Sequence, residues 1–146
     1  MDALNDGAMR AALAHRVRAA TDVTGFGLLG HLSNILRESG VGARIQLDRL
    51  PILPKARELA EAGVVPGGTR RNLEALSTVQ WIGPVSEADR LLASDAQTSG
   101  GLLLAVPPTE VNGLLADLEK ERTLARAVIG EITAGPAGSL VAERTP

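Results

Sequence analysis

Apolar residues recur along this chain in two rhythms, and the switches between them mark out its elements. Between positions 28 and 37, Leu28, Leu32, Ile35 and Leu36 fall at i, i+4, i+7 and i+8. That is the stripe of an amphipathic helix, and Gly40 is placed to end it. Ala43-Arg44-Ile45-Gln46-Leu47 then alternates, which predicts a short strand with one buried face. Pro51 and Pro54 bracket a turn, and a second helix is expected from Lys55 to Ala62, closed by Gly63. Upstream, the alanine-rich stretch 3–17 reads as a helix with Leu4, Ala8, Ala12 and His15 near one face. His15 reads as a surface or helix-end residue, not a ligand.

The second half follows the same logic. Residues 64–72 read as a loop running into a short helix over 72–76. Trp81 lies by a short strand and anchors packing. Ser86 is a good N-cap for a helix reaching Ala93. Leu102-Leu103-Leu104-Ala105-Val106 is unbroken apolar sequence, the signature of a buried strand, and Pro107-Pro108 ends it. Val111, Leu114, Leu115 and Leu118 stripe a helix over 110–121. A strand is expected over 127–132, and a last, short edge strand over 139–142. This order predicts an α+β fold, a mixed β-sheet packed with helices, as one domain over 1–146.

Composition narrows the class. The chain has 146 residues, 45% hydrophobic and 22% charged, ordinary for a soluble domain with a real core. Phe26 and Trp81 are the only aromatics, so the core must be aliphatic. A net charge of −2 gives no electrostatic case for nucleic acid. No apolar run approaches the roughly 20 residues of a membrane span, and no basic-then-apolar leader is visible. The absence of cysteine removes disulfides, thiolate nucleophiles and Cys-ligated metals together. A cytoplasmic setting fits these features.

The candidate chemistry concentrates in Thr21-Asp22-Val23-Thr24-Gly25-Phe26-Gly27-Leu28-Leu29-Gly30-His31. Glycines let the backbone approach a ligand closely, and the N–H groups that open a helix favour anions. A carboxylate just before such a turn suits a hard cation such as Mg²⁺, which usually bridges a few carboxylates to phosphates. The stretch therefore reads as a phosphate-plus-metal corner. His31, one turn into the helix, reads as a packing or capping residue. Gly25 to Gly30 also matches G-x-G-x-x-G, with Asp48 near the distance of a ribose-binding acid. The residues before Gly25 are polar, however, and the later chain lacks repeated βαβ units, which argues against a dinucleotide fold. Read structurally, the same glycines serve packing and Thr24 caps the helix.

Two further polar segments end or begin in glycine. Pro66-Gly67-Gly68-Thr69-Arg70-Arg71-Asn72 places two arginines in a candidate anion-contacting loop. Ser94-Asp95-Ala96-Gln97-Thr98-Ser99-Gly100-Gly101 leads into Leu102-Leu103.

Together these three blocks, with Ala127-Val128-Ile129-Gly130-Glu131, make the chain resemble the C-terminal domain of the selenophosphate synthetases over nearly its whole length. The third block departs from the family's usual Asp-Pro-Gln by having Ala96. The resemblance implies a place in the wider aminoimidazole ribonucleotide synthetase superfamily. It implies ATP, selenide and water reacting to selenophosphate, AMP and phosphate. It also implies Mg²⁺ as cofactor, with Asp22 as a metal ligand, and ATP held mostly by an N-terminal domain. That domain, with its catalytic cysteine or selenocysteine and its lysine, has no counterpart here. The chain is therefore expected to hold no catalytic residue of its own and to be silent alone. Thr24, Gly25, Gly27, Arg70, Arg71, Thr98, Ser99 and Gly100 are the candidate phosphate-side contacts. The N-terminal domain of the same enzyme is the expected partner. The full enzyme is expected to be a homodimer and this chain a monomer, without nucleic-acid or membrane partners. Two other readings stay open here: another enzyme of the same superfamily, and a non-enzymatic domain holding a partner or a small anion.

Overall fold

The computed structural model describes residues 4–146. In chain order its elements are α1 (Asp6–Leu13), β1 (Ala19–Asp22), α2 (Gly27–Ser39), β2 (Gly42–Gln46), α3 (Ala56–Glu61), α4 (Gly67–Ala75), β3 (Gln80–Ile82), α5 (Glu87–Ala93), β4 (Leu102–Ala105), α6 (Val111–Lys120), β5 (Gly130–Thr133) and β6 (Leu140–Glu143). Four strands form a mixed sheet in the order β3-β6-β2-β5, and β1 and β4 pair separately. The fold is α+β.

Helix α2 covers the sheet because its apolar stripe meets the inward face of β2 and β6. Leu29, Leu32 and Leu36 of α2 share one core cluster with Ala43, Ile45, Leu47, Leu140 and Ala142. The buried face is turned by about one position from the stripe expected from sequence: Leu29 replaces Leu28, and Leu28 and Ile35 are half-buried. Gly40 closes the helix at φ +68, a left-handed turn that glycine adopts without Cβ strain. At α5, Ser86 caps the helix reciprocally with Asp89, which satisfies two otherwise unpaired N–H groups.

A second, smaller core joins Ala11 of α1 to Leu114 and Leu118 of α6, with Ala8, Leu104 and Val106 against them. This layer supports the β1–β4 pair. β4 is half-buried throughout, not fully buried as its apolar run predicted: β1 is its only strand neighbour, although Leu103 packs against the main core and Leu104 against the smaller one.

The other differences have physical reasons. The first helix is shorter than the expected 3–17, of which residue 3 lies outside the described residues. It ends at Leu13, and His15 leaves it to contact α6. Residues 19–22, Ala-Ala-Thr-Asp, do form a strand, but it runs antiparallel to β4. The parallel βαβ unit of a dinucleotide site is therefore not built around them. The expected loop over 64–72 becomes helix α4 from Gly67 onward, since tertiary bonds from Thr69 and Asn72 outweigh the poor helix propensity of two glycines. The expected strand over 127–132 starts later, at Gly130. The last strand is not an edge: β6 lies between β2 and β3, parallel to both, and Leu140 and Ala142 are fully buried. Trp81 packs against the main core, and the Arg90 guanidinium lies 5.2 Å from its ring centre.

Candidate functional site

Strand β1 carries Asp22 to its end, opposite Leu102. The ladder then continues into the loops. Val23 N–H donates to the Gly101 carbonyl at 3.0 Å, and Gly100 N–H to the Val23 carbonyl at 3.0 Å. The Thr24 carbonyl accepts from Gly27 N–H at 3.0 Å and from Gln97 N–H at 3.1 Å. The first and third sequence blocks therefore form one main-chain network.

Gly27 turns the chain from this network into α2. Its φ is +70, and a Cβ there would lie 2.5 Å from the Ser94 carbonyl oxygen. Only glycine fits such a conformation at such a distance. His31, one turn on, accepts the Thr24 N–H at Nε2 over 3.1 Å, with the Thr24 hydroxyl also at 3.1 Å. Its ring meets Phe26 edge-on at 5.7 Å. His31 thus caps the turn from within the helix.

Helix α4 brings in the second block. Thr69 is fully buried; its hydroxyl donates to Asp95 Oδ1 at 2.9 Å and accepts from Ala96 N–H at 3.1 Å. Asn72 Nδ2 donates to the Gly25 carbonyl at 2.8 Å and to the Ser94 carbonyl at 3.1 Å. Neither residue stood out in the sequence. Their i, i+3 spacing puts them on one face only if the segment is helical, and its glycines hid that.

The remaining candidates divide between two places. Asp22 and Gly25 are exposed beside the turn, and Thr98 and Ser99 are exposed in the facing loop, with Thr24 and Gly100 half-buried between. Arg71 is exposed, with its guanidinium 4.0 Å from where a Gly68 Cβ would stand, and that same point lies 3.1 Å from the Ala96 methyl. Arg70 points elsewhere: it donates to the Gly63 carbonyl at 3.4 Å and lies 3.8 Å from Glu87. These two partners border a groove between α3 and α5.

Chemically, the arrangement offers one exposed carboxylate beside a rigid glycine-shaped wall. Among the described residues, no group of three or more His, Cys, Asp or Glu side chains is placed to hold a metal ion. A single carboxylate such as that of Asp22 can supply at most one or two of the oxygens in a hard cation's shell. No helix of the described residues is long and apolar enough to cross a membrane.

The sequence model of the family described as "AIR synthase related protein, C-terminal domain" matches residues 3–143. A protein of Carboxydothermus hydrogenoformans named selenide, water dikinase is 43% identical over 145 residues, 99% of this chain and 41% of that protein. One of the same name from Pelobacter propionicus is 41% identical over 144 residues, 98% of this chain and 41% of its own length. Another, from Escherichia coli O157:H7, is 44% identical over 130 residues, 87% of this chain and 36% of the relative. The chain thus spans about two-fifths of the length of these relatives. It belongs to the AIR synthase related protein, C-terminal domain family.

Proposed function

We propose that this chain is the C-terminal domain of a selenide, water dikinase, which converts ATP, selenide and water to selenophosphate, AMP and phosphate in the cytoplasm. The observation that carries the reading is the convergence of three separate glycine-containing segments on the main chain of the Val23–Gly27 turn, directly after the exposed Asp22. Asp22 would contribute one ligand to Mg²⁺, and the ion would shield phosphate oxygens and hold the transferring group in line. Thr24, Gly25 and Gly27 shape the turn beside it, and Arg71 with Thr98, Ser99 and Gly100 would line the phosphate side. Arg70 was grouped with them on sequence. Its bonds to Gly63 and Glu87 make it the weakest of the set. An upstream domain of the same enzyme would supply the remaining Mg²⁺ ligands, most of the ATP site and the dimer contacts.

The test is to join this chain behind the upstream portion of the Carboxydothermus relative and assay AMP formation dependent on selenide. Activity is expected from the joined protein and none from the 146-residue chain alone. Asp22→Asn should abolish it. Full activity of that variant, or robust turnover by the isolated chain, would overturn the reading.

A further inference from the structure

The Asp22 turn and the Ser94–Gly101 loop are bonded to each other through Val23 and Thr24. Beyond Thr24 the turn swings outward, and Gly25 and Phe26 are exposed. There a side chain from a third element takes over. The Asn72 carboxamide has two N–H hydrogens, and its Nδ2 bonds the main-chain carbonyls of Gly25 and Ser94, one in each segment. Its own helix is fixed one turn earlier by Thr69, whose buried hydroxyl is held by Asp95 and Ala96.

We propose that Asn72 is a positioning residue: it fixes the Gly25 end of the Asp22-bearing turn against Ser94, at the start of the Ser94–Gly101 loop, and so the geometry of the phosphate-side wall. The proposal rests on the functional reading given above. A phosphoryl-transfer site tolerates little misplacement, since an error on the order of 1 Å can cost about a hundredfold in rate. A carboxamide suits the task because both acceptors are carbonyl oxygens, which need a two-hydrogen donor. Aspartate has nearly the same shape but, when ionised, presents only acceptors to those carbonyls. It regains a donor hydrogen when protonated.

Asn72→Asp separates the possibilities in two preparations. In the 146-residue chain, the amide resonances of Phe26 and Asp95, the peptides whose carbonyls Asn72 binds, should both shift, while those of Leu140–Glu143 stay in place. Movement of only one of the two would overturn the proposal. In the joined two-domain protein, kcat should fall by about tenfold or more with the KM for ATP within about threefold. The deficit should shrink as pH is lowered and the new carboxyl protonates. A variant with a lowered melting temperature but unchanged kcat would show a purely structural role and overturn the proposal. Should the unsubstituted joined protein fold and yet make no AMP, the functional reading fails instead, and the resonance shifts alone decide whether Asn72 couples the two segments.

Discussion

His15 lies between two carboxylates: Nδ1 is 3.1 Å from Glu110 Oε2 and Nε2 is 3.0 Å from Asp117 Oδ2. A neutral imidazole can donate from only one nitrogen, so this seat favours the imidazolium. Gly113 makes the seat, since a Cβ there would lie 2.7 Å from His15 Cε1. The bond to Glu110, and then that to Asp117, raise the His15 pKa above its ordinary 6.5, against a smaller opposing effect of burial. Lys120, with His15, holds Asp117 below the usual carboxylate range. The stability contributed by His15 is therefore fully present below pH 6.5 and is lost as pH rises through the folded-state value. Denaturant unfolding across a pH series should show this alkaline decline, and His15→Gln should remove it; equal slopes in both proteins would refute the assignment. Asp89 is buried. Burial pushes its pKa up, but bonds from Ser86 and from Arg57 outweigh that and lower it. Arg57 lies at 2.8 Å and Arg144 is also bonded. Asp89→Ala leaves Arg57 and Arg144 without their shared anion and removes the reciprocal half of the α5 capping box, while Ser86 still accepts the residue-89 N–H; it should cost about 1–3 kcal/mol in urea unfolding, because both guanidinium groups reach solvent.

Among the elements, β6 has the largest structural consequence for its length. It bonds to β2 on one side and β3 on the other, and Arg144 just beyond it ties the chain end to Asp89. Removing residues 139–146 strips two parallel pairings from the sheet and takes Leu140 and Ala142 from the main core. The truncated chain should lose its cooperative thermal transition by circular dichroism; a transition of unchanged midpoint would contradict the central placement. Helix α4 shows how a locally weak helix persists. Two glycines open it, yet Thr69 and Asn72 give it four bonds to loops outside itself. Tertiary packing, more than propensity, stabilises most protein helices.

For the molecule as a whole, the proposed function turns on the exposed face around Asp22. Phe26 is 65% exposed, on the same turn that follows Asp22. A single carboxylate is a poor magnesium site, because the ion keeps several waters and needs further anionic oxygens. Calorimetric titration of the isolated chain with magnesium should therefore give weak binding, and Asp22→Asn should change little. Micromolar affinity would mean that the cage is complete without a second domain. The relatives are about two and a half times as long as this chain.

Much of the local structure was readable from residue order. The α2 stripe, the Gly40 stop, the Ser86 cap and the apolar run of β4 each depend on neighbours within a few positions, where periodicity and side-chain chemistry act directly. Within the Asp22–His31 block the glycine turn into α2 was readable for the same reason, but the cap was not: the N-cap of α2 is Phe26, without a side-chain cap bond, and not Thr24. What remained hidden depends on partners far away along the chain: Asn72 lies 47 residues from Gly25 and 22 from Ser94, and His15 lies 95 from Glu110 and 102 from Asp117. A hydrophobic pattern reports which side of an element faces inward, but not what stands opposite it. Strand order, the helical state of 67–75 and the bond between two loops through one carboxamide are decided only when the chain closes on itself, because the groups that stabilise them meet only then.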